Sequence, residues 1–121
     1  MGANATNPMT ANLLRGNTAI IVLSVLRDGP THGYAIASEI LVRTQHAIEL
    51  KQGTLYPLLH ELEKDGFISS DWEILPGERP RRVYTLTESG STELERRLNT
   101  WRDFSTAMFR LTGVKADDSA R

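Results

Sequence analysis

The segment KQGTLYPLLHELEKDGFI, residues 51–68, decides the fold because it combines a helical apolar repeat with an unusual start. Its leucines recur at the i, i+3, i+4, i+7 spacing that places apolar side chains on one face of a helix. We expect Thr54 to be the N-cap, which places Pro57 in the first turn, where backbone N–H groups have no intrahelical partner. Gly66 is expected to end the helix in a left-handed conformation. The leucines are Leu55, Leu58, Leu59 and Leu62.

The opposite face of this helix is polar and aromatic, which raises the question of what it contacts. A solvated surface explains such a face as well as a binding surface does, so the rest of the chain has to decide between them. The side chains on this face are those of Thr54, Tyr56, His60, Glu61 and Lys64.

The composition is that of a single globular domain of 121 residues, of which 40% are hydrophobic and 24% charged. There is no cysteine, which excludes a disulfide scaffold, a thiolate metal site and a thiol nucleophile. The net charge of −1 argues against a protein that coats nucleic acid without specificity. No apolar run approaches the roughly 18 residues of a membrane span and no secretion signal is seen, so we expect a cytoplasmic protein without a membrane partner.

The first part of the chain is expected to be a flexible arm, residues 1–12, followed by a buried helix. Residues 17–27 are apolar on nearly every side of a helix, with Asn17 or Thr18 as the cap and the DGP triplet as the stop. This helix is therefore expected to lie at the centre of the core.

A second helix is expected to begin at Thr31 or His32 and to end by His46. Residues 48–50 are too few to distinguish a short strand from an extended linker. The inward face of the second helix is expected to consist of Tyr34, Ile36, Ala37, Ile40 and Leu41.

Two strands and a long helix complete the chain. The segments FISSDWEIL and RVYTLT are typical of strands, and PGERPR between them contains the prolines and glycine of an exposed hairpin tip. Thr87 is expected to cap the last helix and Gly113 to end it, before a flexible tail at residues 114–121. Large apolar side chains recur along one side of this helix from Leu94 to Leu111.

This order of helix, helix, helix, hairpin and long helix predicts a mainly α fold with a small β-hairpin, in the α+β class. Three short helices beside a hairpin form a winged helix-turn-helix, in which the third helix enters the major groove of DNA and the hairpin reaches the neighbouring backbone. We expect this domain to span residues 13–87 and the C-terminal helix to span residues 88–113.

Four sequence elements follow one another along the chain: GPTHGYAI at 29–36, GTLYPLLHELEKDGFI at 53–68, RPRRVYTLTESG at 79–90, and Trp101. In this order they resemble the PadR family of bacterial transcriptional regulators. The resemblance covers roughly residues 13–104 and implies a homodimeric repressor, in which the C-terminal helix forms the dimer. The chain resembles the short branch of the family, which has a single C-terminal helix.

The candidate DNA-binding residues lie in the third helix, at the hairpin tip and, as the resemblance implies, at the start of the second helix. Gly53 and the hydroxyls of Thr54 and Tyr56 suit a phosphate at a helix N-terminus, although Tyr56 packed on the wing is the alternative. A glutamine can read adenine, and arginines on a stiff tip can hold phosphates. The full set is His32, Tyr34, Lys51, Gln52, Gly53, Thr54, Tyr56, Pro57, His60, Lys64, Arg79, Arg81 and Arg82.

Several of these residues also have a purely structural explanation. A solvated helix face explains His60 and Lys64 equally well, and Tyr34 can be a core aromatic with a solvated hydroxyl. Lys51 and Gln52 depart from the pattern of the PadR family, which leaves the operator sequence open.

The apolar side of the last helix is too long for so small a body to cover, so we expect it to pair with a second copy of the chain. Trp101, Phe104 and Met108 are expected to form the dimer core. The multidrug-sensing branch that the chain resembles implies an alternative role, in which two Trp101 rings form a slot for an aromatic or hydrophobic effector. The expected interface consists of Leu94, Leu98, Trp101, Phe104, Met108 and Leu111.

Two functions from different classes remain open. The first is a dimeric, ligand-responsive repressor that binds double-stranded DNA at an inverted repeat with half-sites about 34 Å apart. The second is a winged-helix module that binds protein partners and not DNA. No nucleophile, phosphate-binding or dinucleotide motif is present, so we expect neither an enzyme nor a cofactor. The three histidines, 14 residues apart, lack the carboxylate pattern of a metal site, and none is expected.

Overall fold

The computed structural model describes residues 11–115, with residues 11 and 12 described as backbone only. The predicted flexible arm and tail lie largely outside these residues. The predicted α+β class, with a small sheet and a long C-terminal helix, is confirmed. The elements are α1 (Ala11–Leu14), α2 (Thr18–Arg27), β1 (Thr31–His32), α3 (Gly33–Arg43), α4 (Gln52–Lys64), β2 (Ile68–Glu73), β3 (Arg81–Leu86) and α5 (Glu88–Thr112).

Helix α2 lies at the centre of the fold because its apolar side chains meet neighbours on nearly every side. It contacts α3, α4, α5 and β3, and Val22 and Leu23 are fully buried. The predicted central helix is therefore confirmed. Asn17 occupies the predicted N-cap position, although its side chain makes no capping hydrogen bond.

The sheet has three strands rather than the two of the predicted hairpin. Its order is β1-β3-β2, both pairings are antiparallel, and Thr31 lies opposite Tyr84. The helix that was expected to begin at Thr31 or His32 therefore begins one residue later, at Gly33. Both residues are extended because their backbone pairs with β3, and His32 then caps α3 through Nδ1, which accepts from the Ala35 N–H at 3.3 Å.

The leucine face of α4 is buried as predicted. Leu55 and Leu59 are fully buried, Leu62 is nearly so, and Leu58 packs at the edge of the core. These side chains join one cluster with the apolar faces of α2 and α3. The helix ends before Gly66, whose φ of 85° is the predicted left-handed conformation.

The start of α4 differs from the prediction. The helix begins at Gln52, and the carbonyl of its N-cap, Lys51, accepts from the N–H groups of Thr54 at 2.9 Å and Leu55 at 2.8 Å. The turn thus closes on Lys51, so Thr54 lies inside the first turn and is not the N-cap. Pro57 consequently lies in the second turn rather than the first.

Pro57 lacks the N–H that would donate to the Gly53 carbonyl, and a proline inside a helix costs about 3 kcal/mol. Full burial of Leu55 and of Leu59 stabilises the helix by about 1.5–3 kcal/mol for each side chain, which offsets this cost. Helix α4 therefore depends on its tertiary packing more than on its intrinsic propensity.

Helix α3 ends at Arg43, earlier than predicted, because Thr44 closes a turn in its place. Thr44 Oγ1 donates to the Ile40 carbonyl at 2.7 Å and accepts from the Ile48 N–H at 3.1 Å. Residues 48–50 form no strand, so the extended linker is the alternative that the structure adopts.

The start of α5 is fixed to the turn that precedes β2. Thr87 Oγ1 accepts from the Gly90 N–H at 3.0 Å, which confirms the predicted cap, and it donates to the Gly66 carbonyl at 2.7 Å. A Cβ atom at Gly90 would lie 1.9 Å from the Phe67 carbonyl oxygen, so only glycine allows this approach. The helix ends at Gly113, as predicted.

Candidate nucleic-acid interface

Helices α3 and α4 meet at a corner that brings predicted site residues together. A cleft of about 340 Å³ at this corner is lined in part by Tyr34, Lys51 and Gln52. Tyr34 is 72% exposed, so the expectation that it faces the core was wrong. It precedes Ile36 by two residues, or about 200° around the helix, so the burial of Ile36 turns Tyr34 towards solvent.

A second cleft, of about 570 Å³, separates the starts of α3 and α4 from β2, β3 and their connecting loop, here called the wing. Tyr34 lines this cleft too, so the two clefts form one continuous surface, the recognition surface. Part of the predicted set is therefore brought together. The second cleft is lined by His32, Gly33, Tyr34, Tyr56, Trp72, Pro80, Arg81, Arg82 and Tyr84.

The ring of Tyr56 lies against the backbone of Gly33. A Cβ atom at Gly33 would lie 2.6 Å from the Tyr56 hydroxyl oxygen and 2.8 Å from the ring carbon that bears it. Tyr56 therefore packs on the start of α3 and not, as the alternative held, on the wing alone. Gly33 is a close-packing position that sequence reasoning missed, because its contact depends on a residue of another helix.

The three arginines of the wing differ in position and in partners. Only Arg79 lies in the loop: Arg82 lies in β3, as the predicted strand RVYTLT placed it, whereas the assignment of Arg81 to the tip was wrong, because it is paired in β3 too. Arg81 Nη2 donates to Glu73 Oε1 at 2.9 Å, and Nη1 lies 3.3 Å from His32 Nε2. Among the described residues, Arg79 makes no hydrogen bond or ion pair.

Arg82 is held differently, over an aromatic ring. Its guanidinium carbon lies 5.4 Å from the centroid of the Trp72 ring, within the range of a cation–π contact. Its Nε donates to Ser70 Oγ at 2.8 Å. Trp72 is 60% exposed, and the pleat turns it towards the cleft on the same side of the sheet as Arg82.

The remaining candidates lie along the exposed side of α4 and do not line either cleft. A Cβ atom at Gly53 would meet no atom of the described chain within 4 Å, so internal packing does not require glycine there. All of these candidates are exposed and accessible to a partner. They are Gly53, Thr54, Pro57, His60 and Lys64.

The floor of the second cleft is the buried ring of Tyr84. Burial raises the pKa of its phenol above the ordinary 10.0, and the nearby Arg82 guanidinium opposes the rise. The phenol therefore stays protonated at neutral pH and can donate a hydrogen bond.

Helix α5 exposes an apolar strip beyond the part that packs on the body. Trp101, Phe104, Met108 and Leu111 are exposed, and so is Phe109, which the predicted stripe omitted. Phe109 is adjacent to Met108, about 100° around the helix, so the exposed strip is wider than a single row.

The first turns of α5 belong to the core of the subunit. Leu94 is only 1% exposed and Leu98 packs against the same core, because this part of α5 lies on α2. The assignment of Leu94 to a dimer interface was therefore wrong, since it has no surface left for a partner. Leu98 offers only part of its side chain.

A third cleft, of about 380 Å³, lies between the start of α2 and α5. Trp101 and Phe104 line it together with Ile20, and Arg96 and Arg97 contribute positive charge. Met108, the third candidate for an effector site, is not among its lining residues. This cleft is therefore mostly apolar with a cationic border.

Glu93 holds both of these arginines in place. Its Oε2 accepts from Arg96 Nη2 and from Arg97 Nε, each at 2.6 Å. These two hydrogen bonds lower the pKa of the Glu93 carboxyl from 4.5 to about 2.

Two features are absent from residues 11–115. No three histidine, aspartate or glutamate side chains in this part of the chain are grouped so that they could hold a metal ion. None of its helices is both long enough and apolar enough to span a membrane.

Known proteins that are similar to this chain in sequence or fold include regulators of transcription. A family model described as the transcriptional regulator PadR-like family matches residues 22–96. A transcriptional regulator of Mycobacterium tuberculosis is 35% identical over 80 residues, which cover 66% of this chain and 71% of the relative. A transcriptional regulator from Clostridium thermocellum has a similar structure, with a TM-score of 0.78 at 27% identity over 86% of this chain and 98% of that one.

A second solved structure is that of Bacillus subtilis PadR in complex with operator DNA. It is similar with a TM-score of 0.63 at 31% identity, over 69% of this chain and 47% of that one. Because these relatives are regulators, the expectation that the protein is not an enzyme is confirmed. The family model matches more than half of the sequence, and the chain therefore belongs to the PadR-like family of transcriptional regulators.

Proposed function

We propose that the protein represses transcription by binding specific DNA sequences as a homodimer, and that a small aromatic or hydrophobic effector releases it. The observation that carries this proposal is the recognition surface, where the exposed start of α4 and the wing arginines lie on either side of Tyr34. A winged helix needs these two surfaces side by side, one for base edges and one for phosphates. The operator complex of Bacillus subtilis PadR supports this use of the fold.

The start of α4 supplies the groups that suit the major groove. Gln52 can pair with adenine, and Lys51 can neutralise a phosphate. The first backbone N–H groups of the helix have no intrahelical partner and favour an anion. The open space at Gly53 lets a phosphate approach this end of the helix.

The exposed strip of α5 supports the homodimer. Apolar side chains from Trp101 to Leu111 extend beyond the body, and a second copy related by a twofold axis would cover them. Two α4 helices held in this way read half-sites about 34 Å apart, so the operator should be an inverted repeat. This function also implies a cytoplasmic location, where operator DNA is accessible.

The third cleft supports an effector site. Its aromatic lining from Trp101 and Phe104 suits a planar ring, and its arginine border suits a neutral or anionic molecule. An effector can change DNA binding only if it has different affinities for two conformations of the dimer, which differ in the spacing of the two DNA-binding domains. In a Trp72→Phe variant, Trp101 is the only tryptophan. The variant is titrated with 2-naphthoate, and quenching of the Trp101 fluorescence together with release of the protein from DNA would support the effector site.

The first test of the whole proposal is a salt series of binding to the protein's own promoter DNA. We expect tight binding, one dimer per inverted repeat, and a linear fall of log affinity with log salt concentration. Shuffled DNA of the same composition is the control and should bind far more weakly.

The alternative function, a module for protein partners, predicts the opposite result. Two exposed acidic side chains, Glu61 on α4 and Asp65 at its C-cap, favour it, since they would repel phosphates. Weak DNA binding that does not change with salt, both with and without 2-naphthoate, would exclude the repressor and leave the protein module.

A further inference from the structure

Glu63, Ser70 and Arg82 lie on three different elements and are joined by hydrogen bonds. Ser70 Oγ on β2 lies 2.8 Å and 3.0 Å from the two carboxylate oxygens of Glu63 on α4. Arg82 on β3 donates its Nε–H to the same Oγ at 2.8 Å. The direction of both bonds is fixed, because a carboxylate accepts only and a guanidinium donates only. The serine hydroxyl therefore donates to Glu63 and accepts from Arg82.

This arrangement fixes Arg82 without occupying its terminal nitrogens. The Nε bond and the Trp72 ring hold the plane of the guanidinium, while Nη1 and Nη2 make no hydrogen bond to the described residues. Within the described chain, Arg82 and Glu63 form no direct ion pair. Ser70 lies between them and keeps the Glu63 carboxylate on the Nε side of the Arg82 guanidinium. The two terminal nitrogens form the paired donors that grip a phosphate.

The neighbouring arginine shows the contrast. Arg81 commits Nη2 to Glu73, and its Nη1 is packed against His32. Of the two arginines in β3, only Arg82 thus keeps a free edge for an anion. The carboxylate of Glu63 faces the wing, where it accepts from Ser70, and not the groove side of α4.

We infer that Glu63 and Ser70 are positioning residues, which orient Arg82 as a two-pronged clamp for one DNA phosphate and tie that clamp to α4. The inference rests on the proposed DNA-binding function. A guanidinium ordered before binding loses less rotamer entropy on contact with phosphate. The hydrogen bonds from Glu63 through Ser70 to Arg82 are here called the relay. Removal of the relay should therefore weaken DNA binding without removing the charge of Arg82.

The test is a double-mutant cycle of Ser70→Ala and Arg82→Ala, measured on promoter DNA across a salt series. Ser70→Ala is expected to lower affinity by about 2- to 10-fold, the range for ordering one long side chain. The slope of log affinity against log salt should stay unchanged for Ser70→Ala, whereas Arg82→Ala should lower it by about one. In the Arg82→Ala background, Ser70→Ala should have no further effect.

Two controls separate positioning from a general structural role. Ser70→Thr keeps the hydroxyl and should restore the affinity of the unmodified protein, and thermal unfolding of each variant should show a folded protein. Equal losses for Ser70→Ala in both backgrounds would overturn the inference, because a structural role does not depend on Arg82. So would an affinity for Ser70→Ala equal to that of the unmodified protein.

A measurement without DNA keeps the inference testable if promoter binding itself fails. In a Trp101→Phe background, Trp72 is the only tryptophan and reports the guanidinium above its ring. Ser70→Ala and Arg82→Ala should then change its fluorescence in the same way. An unchanged Trp72 spectrum in the Ser70→Ala variant would overturn the relay, whereas a changed spectrum without promoter binding would overturn the DNA-binding function and with it the clamp.

Discussion

Arg81 and Arg82 are neighbours in the sequence but have different environments in the wing. Successive side chains of a strand point to opposite faces of the sheet. The register places Arg81 opposite Glu73 and Arg82 opposite Trp72. Arg81 is therefore paired with a carboxylate, in an exposed ion pair worth about 0–1 kcal/mol, and Arg82 lies on an aromatic ring. The two adjacent residues therefore differ in role, since Arg81 makes a stabilising contact and Arg82 is a candidate phosphate contact.

Among the described glycines, Gly90 is the one at which an added methyl group is expected to destabilise the fold most. The Phe67 carbonyl that a Cβ atom would meet is backbone and cannot move aside as a side chain can. We expect Gly90→Ala to lower the free energy of unfolding by about 1–3 kcal/mol, the usual cost of overpacking. Urea unfolding measures this, with Ser91→Ala, an exposed position on the same helix, as the control. Equal midpoints for the two variants would contradict the prediction.

Glu93 should make stability depend on pH in the acidic range. Its carboxyl has a pKa of about 2 in the folded protein and an ordinary value of 4.5, so the unfolded chain binds more protons between these values. The stabilisation is fully present above pH 4.5 and is lost as the pH falls towards 2. Urea unfolding at about pH 6 and about pH 3 should show a smaller loss for Glu93→Gln than for the unmodified protein. The same loss in both would show that the Arg96 and Arg97 contacts do not stabilise the charged form.

At the scale of elements, α4 and the wing depend on each other. Helix α4 contains an unfavourable proline and is held by its buried leucines. The wing is a pair of strands that gains a third, β1, and a hydrogen bond from Ser70 to α4. Two strands alone are marginally stable in water, so these contacts are what keeps the wing in a fixed position beside the helix.

The loop of the wing should provide one phosphate contact through Arg79. This side chain is exposed and, among the described residues, has no ion pair, so binding to DNA does not require a partner to be displaced. We expect Arg79→Ala to weaken binding to specific and shuffled DNA alike and to lower the salt slope by about one. Arg27→Ala, an exposed position that lines neither cleft of the recognition surface, is the control for the loss of one charge. A slope unchanged from that of the control would remove Arg79 from the interface.

At the scale of the whole molecule, the chain has a core that one subunit completes and an apolar strip that it leaves uncovered. Among the described residues, fifteen that are buried and apolar or aromatic form a single cluster that reaches from Leu14 to Leu94. Beyond Leu98, the long helix α5 has no further buried residue and exposes large apolar side chains. Folding of the subunit and pairing of subunits are therefore expected to depend on different parts of α5.

Leu111 separates these two roles. It is 80% exposed, so Leu111→Glu should leave the unfolding of the subunit unchanged while placing two carboxylates in the proposed dimer interface. Sedimentation is expected to show a shift from dimer to monomer. Thr106→Glu, about 140° from Leu111 around the helix, is the control and should remain dimeric. A dimer that survives Leu111→Glu would place the interface elsewhere.

The elements that depend on local chemistry could be predicted from the amino-acid sequence. The leucine spacing of α4, the cap at Thr87 and the glycines that end α4 and α5 depend on neighbours within one or two turns, and the structure confirms them. The family resemblance was also confirmed, because it rests on short motifs whose residues are close together in the sequence.

Only the tertiary structure decided the features that join distant parts of the chain. Strand β1 exists because Thr31 pairs with Tyr84, and His32 meets Arg81, a residue 49 positions away. The closeness of Gly33 to Tyr56, the burial of Leu94 and the relay from Glu63 to Arg82 likewise need two or three elements in place. Side-chain type and spacing describe one element at a time, whereas these contacts depend on how the elements pack, which is why they were missed or wrongly predicted from the sequence.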